Sequence, residues 1–221
     1  MSTQITVTGS AELRVAPELA VVSLTVGHSG PHRDGVLQEA GAAHQELIAE
    51  IRALEASGAL ELWSAGQLRV WSQRPWNAEG RRLPLVHEAR ADVEAVFRDL
   101  DRLGEWVSAA ALREQVTVTG IEWRLTDTTR RRLLEDAQRA AVADAITKAA
   151  VYASALGLGR PSPIDLADHG MLTPPQRPPQ PKAMMMRAAA FGGAEPPVTE
   201  LAPADLLIEA SVDARFTADA A

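Results

Sequence analysis

The 221-residue chain contains no cysteine. Disulfide staples, thiolate zinc sites and cysteine nucleophiles are thereby excluded. Positive charge is also short: a net charge of -7 and a pI near 5.3 argue against nucleic acid as the main ligand, because phosphate binding draws on clustered Lys and Arg. The one basic run, Arg130 to Arg132, reads as a solvated face. No stretch approaches the ~20 consecutive apolar residues that cross a bilayer, so no membrane span is expected. The opening MSTQITVTGSAELRV has no basic start, apolar core or small-residue cleavage site, and enters an alternating pattern at once. A cytoplasmic location is the expectation.

Chemistry-bearing motifs are equally scarce. There is no Gly-Lys-Ser/Thr phosphate loop, and Gly27-His28-Ser29-Gly30 lacks the second glycine at the spacing a nucleophile elbow requires. No pair of carboxylates can be assigned acid and base roles from spacing. The expectation is a protein that is not an enzyme, with no catalytic, cofactor-binding or metal-ligating set.

What is present is an ordinary globular composition, 46% hydrophobic and 23% charged. A chain of this length buries about 70% of the surface its unfolded form exposes, enough for one substantial core, and a single domain over 1–221 is the default reading. The longest patterned stretch is TDTTRRRLLEDAQRAAVADAITKAAVYASALGLG, residues 126–159. At 3.6 residues per turn Leu134, Ala137, Ala141, Ala145, Ala149, Tyr152 and Leu156 share one side of a helix, with Arg132, Glu135, Asp136, Arg139, Thr147 and Ser154 opposite. Thr126 or Asp127 can cap its start, and Gly157 can end it in the left-handed conformation. The alanine stripe suits close approach to a broad sheet.

Elsewhere period two dominates. Ile5 to Val15 and Ala20 to Val26 alternate as two strands broken at Pro17, and Leu37 to Leu54 recur at helical spacing until Ser57-Gly58. Leu68 to Gln73 and Leu85 to Phe97 form a hairpin, Leu100 to Ala110 a short helix, and Ile121 to Leu125 a further strand. Strand, helix, strand, strand, helix, strand is the split β-α-β order of an α+β fold, an antiparallel sheet with helices on one face. The long helix and later strands extend it. Ile164 and Leu166 suggest a short strand. Residues 170–200 then form a Pro/Met/Ala-rich loop insertion, and Leu206 to Phe216 return to the sheet as a closing strand.

A few residues stand out as candidates. His28 and His32 lie four apart, but Gly30 and Pro31 prevent the helix that would aim both rings at one metal. Asp165, Asp168 and His169 are a second group that could serve a metal-assisted or small-molecule-binding enzyme, the alternative reading. His44 falls on an apolar helix stripe and His87 in the packed register of a strand. Lys148 flanks the long helix, its stem packed and its ammonium reaching water. Although only 4% of the chain is aromatic, Trp63, Trp71 and Trp76 crowd into or beside one arm of the hairpin, with Trp71 on the side of Gln67, Arg69 and Gln73. Those tryptophans and the adaptable Met184, Met185 and Met186 make a candidate interaction surface.

The opening ITVTGSAELRVAPELAVVSLTV, the later ITKAAVYASALGLG and the final alternating strand resemble the SIMPL domain family, which includes bacterial periplasmic immunogenic proteins and a eukaryotic kinase-associated signalling adaptor. The likeness runs from Ile5 to Phe216, and rests on the Gly9 to Pro17 opening and the Lys148-Ala149, Tyr152-Ala153, Leu156-Gly157 spacing. Many relatives carry an export signal. Relatives often have Pro-Gly before the last strand, where Pro203-Ala204 stands here. The resemblance implies an α/β domain with antiparallel strands, a tendency to self-associate and no defined catalytic residues. A homo-oligomer acting through protein contacts, as a self-associating scaffold or a stress-related interaction protein with an unidentified protein partner, is therefore the functional expectation; a separate role in oxidative-stress protection is implied by the family association alone.

Overall fold

The structure, a computed structural model of the chain, describes residues 2–76, 82–172 and 203–220. Its elements run β1 (Thr3–Val15), β2 (Leu19–Gly30), α1 (Arg33–Ala56), β3 (Leu60–Ala65), β4 (Arg69–Gln73), β5 (Val86–Phe97), α2 (Leu100–Ala111), β6 (Val116–Arg124), α3 (Asp127–Ala155), β7 (Ser162–Asp168) and β8 (Leu206–Ala218). All strand pairings within the sheets are antiparallel, so the α+β class read from the sequence is what the chain forms. Among the described residues no helix is long and apolar enough to cross a membrane.

The chain divides into two compact units, each with its own sheet and helix layer. Unit 1 contains β1, α3, β7 and β8, and unit 2 the elements from β2 to β6. The division follows from one pairing choice: β1 runs antiparallel to β8 over thirteen residues, from Thr3↔Ala218 to Val15↔Leu206, and not alongside β2. The long helix and later strands thus build a second sheet instead of extending the first.

Unit 2 is the split β-α-β arrangement, with strand order β3-β5-β2-β6 and β4 paired further along β5. Strict alternation in β5 puts Ala89, Ala91, Val93, Ala95 and Phe97 on the buried face, with the intervening residues on the other. β2 supplies Ala20, Val22, Leu24 and Val26 to the same core, α1 adds Leu47 and Ile51, and α2 adds Leu103. Burial of each large side chain contributes about 1.5–3 kcal/mol. The Phe97 and Trp106 rings meet at 5.2 Å, which fixes α2 over β5. Asp99 caps α2 by accepting from the Arg102 amide, and Gly58, at φ 78°, ends α1. Thr126 donates through both its amide and its hydroxyl to Glu18, which ties the end of this unit to its beginning. β3 has no clear period in the sequence because its register slips between Leu60 and Leu62, leaving Leu62 exposed.

Unit 1 lays α3 on β1 and β8 of the sheet β1-β8-β7. The side that packs consists of Ala137, Ala141, Ala145, Ala149 and Ala153. Gly9 sets the distance: a Cβ there would lie 2.1 Å from the Ala141 carbonyl oxygen and 2.7 Å from the Ala145 Cβ. At this separation no larger side chain fits between helix and sheet. Leu134, Tyr152 and Leu156, which the wheel assigns to the buried side, are accordingly displaced to the rim and exposed. Asp144 accepts from the Ser10 amide, and Lys148 donates to the Thr8 carbonyl at 2.9 Å while pairing with Asp144 at 2.7 Å. These two side chains occupy the outward-facing hydrogen-bonding groups of β1 where a neighbouring strand would otherwise sit. Beyond α3, Gly157 takes φ 66°, as its position in the sequence predicts.

Candidate functional site

On the face of the unit 2 sheet away from α1 and α2, β2 presents small residues from position 23 onward: Ser23, Thr25, Gly27 and Ser29, after Val21. Their neighbours on β5 are larger, with Glu94, Asp92, Arg90 and Glu88 in register with them. On the β6 side the residues in register are Gly120 and Thr117, so this low column forms a trough alongside β5. Thr25 donates to Asp92 at 3.1 Å and Arg69 pairs with the same carboxylate at 2.9 Å, which crosslinks β2, β5 and β4 on this face. Around Gly27 the trough opens into a cavity of about 440 Å³ bordered by Trp71, Arg90 and Glu114. That volume lies within the range of small-molecule sites.

The candidate tryptophans separate. Trp71 stands on this face with Arg69 and Gln73, 38% exposed, and Trp76 is 86% exposed. Trp63 instead packs against the unit 2 core, because its place in β3 turns it to the helix side. Met184, Met185 and Met186 lie outside the described residues.

The histidine and aspartate candidates are distributed as follows. β2 continues through Gly30, so His28 belongs to a strand, not the expected loop, and its ring meets Glu39 of α1 at 3.4 Å. His32 is the residue before α1 and makes no side-chain cap there. In unit 1, Asp165 pairs with Arg215 at 3.0 Å, Asp168 is exposed, and His169 points Nδ1 at Asp213 at 3.1 Å. Among the described residues no group of three or more His, Asp or Glu side chains is placed to hold a metal ion.

Asp213 is the residue that sequence reasoning missed. Its side chain is 5% exposed, and it accepts from the Thr8 hydroxyl at 2.8 Å, the Gly170 amide at 2.7 Å and His169. Burial pushes its carboxyl up, but the Gly170, Thr8 and His169 donors outweigh that and hold it below the usual carboxylate range. One carboxylate thus joins β1, β8 and the turn after β7, where Gly170 takes φ 85°. The only signal for it in the sequence is a charge set between Val212 and Ala214 in an apolar strand.

Unit 1 also carries an apolar strip at its surface. Ile146 follows Ala145 by one position, about 100° around the helix, and Asp144 precedes it by the same angle. Since Asp144 reaches β1, Ile146 lies on the flank toward β7. There Leu166, in register with the buried Ala214, stands on the helix side of the sheet. Ile146 is 51% and Leu166 58% exposed.

Two antiparallel sheets, one holding the first and last strands and the other the strands between, each with helices on one face, define an α+β protein. The sequence matches the family described as SIMPL, protein of unknown function (DUF541), over residues 5–216, and the chain belongs to that family. Comparison with curated proteins finds no significant match.

Proposed function

We propose that the chain is a non-enzymatic, cytoplasmic protein-contact domain that self-associates, with the apolar strip between α3 and β7 of unit 1 as its contact surface. The observation that carries this reading is a pair of large apolar side chains in water on the side of unit 1 where the packed helix face is all alanine: Ile146 on α3, 51% exposed, and Leu166 on β7, 58% exposed. A solitary domain gains nothing from large apolar groups held in water, and contiguous ones mark contact sites. A second copy is the occupant favoured, because among the described residues β7 pairs with β8 on one side only and a strand edge is self-complementary about a two-fold axis. On the other edge of the sheet, Asp144 and Lys148 already occupy β1, which directs pairing to β7.

Light scattering on a size-exclusion column tests it. The full chain is expected to elute as an oligomer, and Ile146→Glu with Leu166→Glu to shift it to a smaller species while the circular dichroism spectrum is retained. Trp71→Ala and Trp76→Ala, on unit 2, should leave the oligomer intact. A strict monomer at high protein concentration would overturn the proposal. A second reading, small-molecule binding, is favoured by the cavity around Gly27 in the His28 region.

A further inference from the structure

The cavity around Gly27 has its polar groups in two states. Thr25 donates to Asp92, which lies just beyond the cavity and also pairs with Arg69, and Glu88 accepts from Gln73. Arg90 and Glu114 are different: among the described residues neither side chain has an ion-pair or hydrogen-bond partner. They stand on opposite walls. Arg90 is in register with Gly27 on the β5 side, while the Gly27 amide donates at 2.8 Å to the carbonyl of Gln115, next to Glu114, on the β6 side. Neighbouring strands are about 4.8 Å apart, so the two flanking backbones are separated by roughly 10 Å across a floor that has no side chain. Arg90 and Glu114 can reach inward over that floor from either side. Trp71 forms an apolar part of the rim, and the Ser29 and Thr117 hydroxyls supply neutral donors and acceptors.

We propose that this cavity binds a zwitterionic small molecule of the α-amino acid class, its carboxylate on Arg90, its ammonium on Glu114 and an apolar side chain against Trp71. A guanidinium matches a carboxylate through two parallel hydrogen bonds, and a carboxylate matches an ammonium. A purely anionic ligand leaves Glu114 opposed, and a purely cationic one leaves Arg90 opposed. Glu88 keeps its charge beside the neutral Gln73 amide and adds to the acidic lining, so a ligand with both charges meets Arg90 and the carboxylates together. Gly27 is part of the site because a side chain at that position would rise from the floor into the space the ligand occupies. The proposal is independent of self-association, which uses unit 1.

Binding is measured on the full chain by calorimetry and by amide and indole NMR shifts, with L-phenylalanine, L-leucine and glycine as probes. L-phenylalaninamide, which lacks the carboxylate charge, and N-acetyl-L-phenylalanine, which lacks the ammonium, serve as matched controls. L-phenylalanine should perturb the Gly27 amide and Trp71 indole and bind at least about tenfold more tightly than either control. Arg90→Gln should abolish the preference over the amide, and Glu114→Gln the preference over the acetylated form. Both residues are exposed, so the variants retain the wild-type fold, verified by their unperturbed remaining resonances. Trp71→Ala should weaken L-phenylalanine more than glycine. Absence of saturable binding by all three amino acids at millimolar concentration, or equal affinity for amino acid and both controls, overturns the proposal.

Discussion

At Asp213 a buried carboxylate is held ionised by three donors, and the cost of desolvating it is met only while all three are in place. Its folded pKa lies below the unfolded value of about 3.9, so its stabilising contribution is fully present above that value and is lost as pH falls through the lower folded value. Asp144 is shifted in the same direction, by Lys148 first and the Ser10 amide second, and adds to the same acid limb. Unit 1 is therefore expected to lose stability in acid below about pH 4. Asp213→Asn should lower stability at neutral pH by about 1–3 kcal/mol and flatten that acid limb, as chemical denaturation measured across pH will show. An acid limb as steep in the variant as in the parent chain would remove this account of Asp213. None of it is legible at the sequence level, where Asp213 is one charged residue in an alternating strand. Its partners come from residues 8, 169 and 170, and only pairing of β1, β7 and β8 collects them.

At the level of elements, α3 is the instructive case. Its position, ends and alanine stripe are readable from spacing, because helical periodicity is a local property. Which flanking residues join the buried face is not local. It depends on how near the sheet lies, and Gly9, more than a hundred positions away in sequence, sets that distance. Ala145→Leu should destabilise the chain by about 1–3 kcal/mol through overpacking, whereas Tyr152→Ala on the rim should stay within about 0.5 kcal/mol, both measured by thermal or urea unfolding. The reverse order would mean that helix and sheet are further apart than described. β5 and α2 were fully legible for the same local reason, and β3 was not, because its register shift interrupts period two. The trough on β2 lies between: its small residues are visible in the sequence, but Arg90 of β5 and Glu114 of the turn before β6 come beside it only after folding.

For the molecule as a whole, the decisive feature is that the first strand waits for the last. β8 sits between β1 and β7, so unit 1 has no sheet until the C-terminal segment arrives. Ending the chain at Asp205 should abolish hydrogen-exchange protection of the amides in β1 and α3, and persistence of that protection would show that β8 does not organise the unit. The sequence by itself determined the α+β class, nearly every helix and strand, the split β-α-β core and membership of the SIMPL family, because alternation, helical period, caps and glycine stops act over a few residues. Only the tertiary structure decided that two strands adjacent in sequence, β1 and β2, belong to different sheets, that alanines and not leucines lie beneath α3, and that Arg90 and Glu114 line one cavity with Gly27. Those outcomes depend on which strand edges and surfaces meet, a competition among distant segments that no local pattern encodes.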